Sequence, residues 1–210
     1  MSFSDSSPLP DGWRGGVVLV FVGALALGAC RAPLPGSEVR WRAEREEAVR
    51  QALPEADRAA FAGLAFYPHD AAYRFRAMLE PVVPPQPLTL AASDGSARPA
   101  LRVGRLRLRL PGGEAKLTVF QLADLRDAAP DHYFLPFRDA SAGRETYGAG
   151  RYVEVVALGS GVVEVDFNRA YNPDCAYGIT ARCPITPEEN TLPFAVPVGE
   201  RLPPGHNDPR

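Results

Sequence analysis

Apolar residues between positions 37 and 52 recur every three to four residues, which is the spacing of an amphipathic helix. Ser37 stands where a helix cap is expected, because a serine side chain can accept a hydrogen bond from the first-turn backbone. Pro54 opens a second short segment that stops before Gly63, and helices often carry proline near the start and glycine past the end. The pattern therefore predicts two N-terminal helices, over residues 37–52 and 54–62.

The hydrophobic period changes to two after these helices. Apolar side chains alternate with mainly polar ones over residues 73–79, as expected for a strand with one buried face. Further along, Gly112-Gly113 is a two-residue turn signal between two more alternating segments. Pairing across this turn sets Leu108 opposite Leu117, so that the leucines of both strands share one face.

A second hairpin is predicted around Gly159-Ser160. Pairing across this turn places Val156 on the core face. It also sets Arg151 opposite Asn168, with Asp166 diagonally adjacent. Diagonal neighbours on a sheet lie within reach of an arginine side chain, so we expect these three polar residues to meet at one strand end.

These elements predict a mainly β protein with N-terminal helices. The fold class is α+β, built on an antiparallel curved sheet, a sandwich or a partly open barrel. The length suits a single helix-plus-antiparallel-β domain over residues 37–201. Residues 202–210 are expected to form a disordered tail.

The first 29 residues are typical of an export signal. Residues 17–29 form an uncharged apolar run, too short to span a bilayer comfortably but suited to a signal-peptide core. The run ends in Leu27-Gly28-Ala29-Cys30, which resembles the bacterial lipoprotein signal, in which the cysteine is acylated and becomes the new N-terminus. An ordinary signal peptide or a short anchor with an incidental cysteine is the alternative.

The lipoprotein interpretation predicts a signal peptide over residues 1–29, palmitate or a similar acyl group on Cys30, and a short tether over residues 30–36. The protein would then be a membrane-anchored lipoprotein of the bacterial cell envelope, facing the periplasm or the cell exterior. Its partner would be the membrane, contacted through the N-terminal lipid.

Composition and motifs exclude several classes of function. The formal net charge is −2, so no global positive field recruits nucleic acid, and no nucleic-acid partner is expected. The sequence has no phosphate-binding loop, no serine in a nucleophile elbow and no cysteine with an evident histidine partner. We therefore expect no cofactor. The oligomeric state stays open.

Cys175 and Cys183 remain as a pair once Cys30 carries lipid. They can form a disulfide across a short loop, stay as two buried thiols, or supply two thiolates to a metal. A metal site is disfavoured because the histidines lie far away in sequence and the spacing matches no zinc pattern. We expect no metal, and the disulfide and the buried thiols both stay open.

The segment around the two cysteines is dense in polar side chains, and irregular loops on a scaffold often carry function. Together with the second hairpin it predicts a binding site for a small polar or anionic ligand, or a partner, in a pocket at one end of the sheet. An arginine in that pocket can donate two parallel hydrogen bonds to an anion. The candidate residues are Glu145, Tyr147, Arg151, Asp166, Asn168, Tyr171, Asn172 and Tyr177.

Two other interpretations of this polar cluster stay open. The same groups can form a satisfied hydrogen-bond network that holds a long loop to the sheet. A hydrolase-like enzyme is the other interpretation, with carboxylates such as Glu145, Asp166 and Glu200 as an acid–base pair beside the tyrosines around Arg151. A concave pocket with a close carboxylate pair would favour the enzyme.

Several segments together resemble the bacterial and archaeal domain-of-unknown-function family 1684. The resemblance extends from about Trp41 to Glu200, and its most specific part is Asp166-Phe-Asn-Arg-Ala-Tyr-Asn-Pro173. The other matching segments are residues 41–45, 61–68, 137–139, 145–152, 175–177, 183–184 and 189–190.

The family has no established activity, so the resemblance supplies no catalytic roles. It implies that the polar loop belongs to the domain. Members without export signals also keep the cysteine pair, and a cytoplasmic protein would hold these cysteines reduced. The resemblance therefore weakens the disulfide interpretation.

Overall fold

The computed structural model describes residues 34–180 and 182–202. The predicted signal peptide, Cys30, the first four residues of the predicted tether and nearly all of the predicted tail lie outside the described residues. Those predictions are therefore not tested by the fold.

The two N-terminal helices are present. Helix α1 spans Gly36–Ala52, and helix α2 spans only Glu55–Arg58, shorter than the predicted 54–62. The predicted serine cap is wrong, because α1 begins one residue earlier. Pro35 is the N-cap residue and no side chain caps the first turn.

Seven strands form one antiparallel sheet, which confirms the fold class. The strands are β1 (Arg74–Met78), β2 (Glu80–Ala91), β3 (Ala97–Leu110), β4 (Gly113–Leu122), β5 (Tyr133–Phe137), β6 (Arg151–Gly159) and β7 (Val162–Asp166). Their order across the sheet is β1-β7-β6-β5-β4-β3-β2. The two outer strands are consecutive in the chain, with only Leu79 between them, so the sheet curls into a half-barrel.

The β3–β4 hairpin has a different register from the predicted one. Leu108 pairs with Ala115, and Leu106 pairs with Leu117. The two turn residues are Pro111-Gly112, and proline suits the first central position of a turn because its φ is already fixed. A shift of two residues keeps each side chain on the same face, so the predicted leucine face is buried.

The β6–β7 hairpin differs from its prediction by one residue. Its turn is Ser160-Gly161, and both residues have positive φ, 53° and 77°. Val155 pairs with Val165, and the register is interrupted just before Gly159. Such a bulge inserts one extra residue into a strand, which a pattern of alternating side chains does not reveal.

A one-residue shift turns every side chain of a strand to the other face. Val153 and Val155 therefore face the core, whereas Val156 is 53% exposed. Arg151 pairs with Phe137 of β5. The predicted pairing of Arg151 with Asn168 on the other side is wrong, because β7 ends at Asp166 and Asn168 lies in the 3₁₀ turn Phe167–Arg169 that follows.

The sheet carries a hydrophobic cluster on each face. The inner face holds the main core, which includes Leu106, Leu117, Val119, Leu135, Val153 and Val165. The outer face holds a smaller cluster formed by Leu90, Ala100, Phe120, Leu122, Phe134 and Tyr152. Successive side chains of a strand point to opposite faces, so β4, β5 and β6 contribute to both clusters.

One side chain joins the two central strands where their ladder is short. Strands β4 and β5 pair only at Phe120 and Phe134. Beyond this pair, the buried Asn190 side chain forms hydrogen bonds to both strands. Its Oδ1 accepts from Thr118 N at 2.7 Å, and its Nδ2 donates to Thr118 O at 2.8 Å and to Pro136 O at 2.7 Å. The Asn190 side chain thus links β4 and β5 where the two strands do not pair directly.

Candidate functional site

Arg151 is almost completely buried at the start of β6. Its Nη2 donates to Asp139 Oδ2 at 2.7 Å and to Val196 O at 2.9 Å. Its Nη1 donates to Val198 O and, at 3.0 Å, to Glu200 O. The guanidinium therefore fixes the C-terminal segment to the sheet. Burial lowers the pKa of Arg151, and the Asp139 carboxylate opposes that effect.

Both carboxylate oxygens of Asp139 accept hydrogen bonds. Its Oδ1 accepts from Ser141 N at 2.8 Å and from the Ser141 hydroxyl. Its Oδ2 accepts from Val196 N at 2.9 Å as well as from Arg151. The Ser141 hydroxyl lies 2.9 Å from Thr146 Oγ1. Arg151 and Asp139 are thus a buried ion pair whose hydrogen bonds are made within the protein.

Glu200 is the centre of a second buried cluster. Its Oε1 accepts from Arg45 Nε at 3.0 Å, and its Oε2 accepts from Asn172 N at 2.8 Å and from Tyr177 OH at 2.6 Å. Asn172 Nδ2 donates to Arg201 O at 2.7 Å. Burial and the Glu200 carboxylate both raise the pKa of Tyr177, so the phenol stays protonated.

Asp166 and Asn168 form a third cluster. Asn168 Oδ1 accepts from Asp70 N at 2.8 Å, and Asn168 Nδ2 donates to Asp70 O and to Asp166 Oδ1, each at 2.9 Å. The carboxylate partner of Arg151 is Asp139, so the predicted Arg151–Asp166 pair is wrong.

The remaining candidate residues also have protein partners. Glu145 Oε2 accepts from Tyr67 OH at 3.1 Å, and Tyr147 OH donates to Cys175 Sγ at 3.6 Å. Tyr171 OH donates to Glu154 at 2.6 Å. Among the eight predicted residues, Asn172 N and Tyr177 OH both donate to the Glu200 carboxylate. Arg151 contacts the same residue by donating to the Glu200 carbonyl oxygen.

The arrangement around Arg151 has the geometry of a structural network. A guanidinium and carboxylates that bond one another, buried away from solvent, present no group to a substrate. It therefore does not support the hydrolase-like interpretation at this position.

A cleft of about 280 Å³ lies on the outer face of the sheet, and of the eight predicted residues only Tyr171 lines it. Three aromatic rings form its floor. Phe134 and Tyr152 meet edge to face with centroids 5.6 Å apart, and Tyr152 and Tyr171 meet in the same way at 5.8 Å. The cleft is also lined by Leu122, Leu125, Pro173, Thr180, Cys183 and Pro184.

Basic side chains dominate the charged rim of this outer-face cleft. Arg98 and Arg182 line it together with His132, and Asp174 is the acidic residue of the lining. Arg98 pairs with Asp124 at 3.2 Å, whereas the exposed Arg182 donates to the backbone of Ala97 at 3.4 Å.

His132 is oriented by a carboxylate beside the cleft. Its Nε2 lies 3.0 Å from Glu154 Oε2, and Glu154 also accepts from Tyr171. The cleft therefore offers an aromatic floor and donors suited to an anionic group.

Cys183 lines the wall of this cleft, and Cys175 lies next to it. The structure records both as thiols, Cys183 buried and Cys175 half-buried. Cys175 N donates to Cys183 Sγ at 3.2 Å. A hydrogen bond between the two thiols and burial raise the pKa of Cys183. The sequence left the disulfide and the buried thiols both open, and the disulfide stays a hypothesis.

Comparison with known proteins places the chain in a family. Residues 59–201 match the family described as "Protein of unknown function (DUF1684)". The chain belongs to the DUF1684 family. The match includes Glu200 and Arg151, whereas Arg45 of α1 lies before it, so a residue outside the matched region completes the Glu200 cluster.

A solved DUF1684-like structure has the same fold. It is the solution NMR structure of the uncharacterised protein from gene locus rrnAC0354 of Haloarcula marismortui. The two chains share 34% sequence identity and superpose with a TM-score of 0.60, covering 81% of this chain and 96% of that one. No curated protein matches this chain.

The described part of this DUF1684 chain contains neither a metal-binding cluster nor a membrane-spanning helix. Across residues 34–180 and 182–202, no three His, Cys, Asp or Glu side chains are grouped so that they could hold a metal ion. None of the helices in the same ranges is both long and apolar enough to cross a membrane.

Four residues that the sequence interpretation did not single out are central to the DUF1684 structure: Arg45, Asp139, Ser141 and Asn190. Arg45, Asp139 and Asn190 fall within three of the short segments that carry the family resemblance. A polar side chain in such a segment is the signal that could have marked it as a buried hydrogen-bonding group.

Proposed function

We propose that this protein is a lipid-anchored component of the bacterial cell envelope that binds a small anionic molecule with an aromatic or apolar body. The ligand lies in the outer-face cleft, with its apolar part over Phe134, Tyr152 and Tyr171. Its anionic group faces Arg182 and Arg98. The observation that carries the proposal is the combination of an aromatic floor with two arginines in the lining of the same cleft.

The size of the cleft limits the ligand. A volume of about 280 Å³ lies just under the roughly 300–1,000 Å³ of sites that take drug-sized molecules. Aromatic side chains contribute apolar contact area and specific ring geometry. A guanidinium matches a carboxylate or phosphate with two parallel hydrogen bonds. These properties fit a single-ring carboxylate or a compound of similar size.

Arg182 is the best residue for a test because it is exposed and its side chain donates to a backbone carbonyl at 3.4 Å. We expect benzoate and phenylacetate to raise the melting temperature of the wild type, and the Arg182→Ala variant to bind them about tenfold more weakly, because a charge-assisted hydrogen bond contributes about 1.5–3 kcal/mol when buried and less at an exposed position. Titration calorimetry measures the affinities.

The exposed Arg105, away from the cleft lining, gives a matched control. Arg105→Ala should leave the affinity for benzoate unchanged. Equal binding of neutral benzamide would show that the cleft does not select anions. No stabilisation by any aromatic carboxylate or by inorganic phosphate would overturn the proposed ligand class.

The anchor is supported by the sequence around Cys30, where small residues precede the cysteine directly after an apolar run. We expect mass spectrometry of the mature protein from a bacterial host to find Cys30 as the N-terminal residue, carrying acyl chains. Each buried methylene adds roughly 0.8 kcal/mol to membrane affinity, so Cys30→Ser should move the protein to the soluble fraction. An unmodified Cys30 in the membrane-bound protein would refute the lipoprotein assignment.

A further inference from the structure

The two thiols beside the outer-face cleft are already arranged as a pair. Cys175 N donates to Cys183 Sγ at 3.2 Å, which places the two cysteines in contact. Only seven residues separate them, so a bond between them would close a short loop. Cys183 itself lines the cleft, and its neighbours Arg182 and Pro184 line it too.

The segment that carries Cys183 is hydrogen-bonded to Tyr152 of the aromatic floor. Tyr152 OH donates to Pro184 O, and Cys183 N–H donates to Ser93 Oγ at 3.2 Å. The Cys183 side of the pair is thus fixed on the sheet. Arg182 is exposed and has one backbone contact at 3.4 Å. A covalent link from Cys175 to Cys183 would restrict the backbone that presents Arg182.

We propose that Cys175 and Cys183 form a reversible disulfide that braces the arginine-bearing wall of the cleft and strengthens binding of the anionic ligand. This inference rests on the proposed function for its effect on affinity. The covalent modification itself does not depend on a ligand.

The chemistry requires a disulfide donor, R–S–S–R, such as oxidised glutathione or the disulfide of an oxidase. The half-buried Cys175 loses its proton to solvent and attacks one donor sulfur, which forms a mixed disulfide and releases the first R–S⁻. Cys183 then loses its proton and attacks Cys175 Sγ, which releases the second R–S⁻. The two protein thiols are oxidised to one disulfide, and the donor is reduced to two thiols after proton uptake.

The order of attack follows from exposure. Burial and the hydrogen bond to Cys175 raise the pKa of Cys183, so little of it is thiolate in the reduced protein. Cys175 is the more accessible sulfur. Cys183 then attacks the sulfur of a residue already held in contact with it, so the second step is intramolecular.

The first experiment measures the modification. Purified protein is incubated with oxidised glutathione, and we expect a mass lower by two hydrogens with one disulfide-linked peptide joining Cys175 and Cys183. Dithiothreitol should reverse the change. Each single variant, Cys175→Ser and Cys183→Ser, should fail to form the intramolecular bond. A stable glutathione adduct on the wild type with no intramolecular bond would overturn the inference.

The second experiment measures the effect on the cleft. We expect hydrogen exchange over residues 182–184 to slow in the oxidised form, and benzoate to bind about threefold to tenfold more tightly, as expected when one long side chain is ordered in advance. The double serine variant should not respond to oxidised glutathione. If the disulfide forms while exchange and affinity stay unchanged, the bracing role is wrong.

These readouts separate the two proposals. If the disulfide forms and exchange slows but no aromatic carboxylate binds to either form, the proposed ligand class fails and the redox modification stands. If benzoate binds equally to both forms, the ligand site stands and the coupling fails.

Discussion

Replacing Arg151 with alanine is expected to lower the free energy of unfolding by about 3–5 kcal/mol, the range for removing one partner of a buried ion pair. The substitution leaves the Asp139 carboxylate buried without its cation. It also removes the donors to the backbone carbonyls of Val196, Val198 and Glu200. Urea denaturation followed by circular dichroism measures the change.

Arg107 provides a matched control for this prediction. It lies on the exposed face of β3 and pairs with Glu80 at 2.7 Å, with 66% of its side chain exposed. Arg107→Ala should leave the free energy of unfolding close to the wild-type value, because an exposed ion pair contributes little. Arg151→Lys keeps the charge but cannot reproduce the fork of donors, so it should recover only part of the loss. A wild-type-like stability for Arg151→Ala would refute the structural role.

Asn190→Asp is expected to lower the free energy of unfolding by about 2–5 kcal/mol, because two buried carbonyls lose their donor and each unsatisfied group costs about 1–3 kcal/mol. The aspartate has nearly the same shape, but its carboxylate would face Thr118 O and Pro136 O in place of the amide Nδ2. Calorimetric melting temperatures and urea denaturation both report the change.

The comparison with Asn190→Ala separates the bridging role from simple packing. Alanine leaves Thr118 N unpaired as well as the two carbonyls, but it adds no buried charge, so it should be less damaging than aspartate. The neighbouring Glu189 serves as a control, since it is exposed and bonds Arg102 and Thr118 from the same turn. A wild-type-like stability for both the alanine and the aspartate variant would show that the contacts of the Asn190 amide do not matter.

Local sequence signals predicted the elements better than their pairing. The 3.6-residue period located α1 to within one residue at its start, and the alternating period located strands and their buried leucines. The register of β6 could not be predicted, because the irregularity before Gly159 inserts a residue that does not disturb the local pattern. The true turn, Ser160-Gly161, overlaps the predicted one by a single residue.

The polar residues around Arg151 show that local sequence patterns also do not predict tertiary hydrogen-bond partners. Sequence reasoning identified Arg151, Asn172 and Tyr177 as polar residues of interest. Their partners, Asp139 and Glu200, lie in other segments, and only the folded chain brings these carboxylates to them. The outer-face cleft was missed because its floor consists of ordinary apolar strand residues that a sequence pattern assigns to a core.

The position of Glu200 near the end of the chain has a kinetic consequence. Its carboxylate binds Arg45, 155 residues earlier, and its carbonyl accepts from Arg151, 49 residues earlier. Contacts of such long sequence separation slow folding, because a large loop must close before they form. Until residue 200 has been synthesised, Arg45 and Arg151 each lack one of their acceptors, so this part of the polar network forms only after that segment is made.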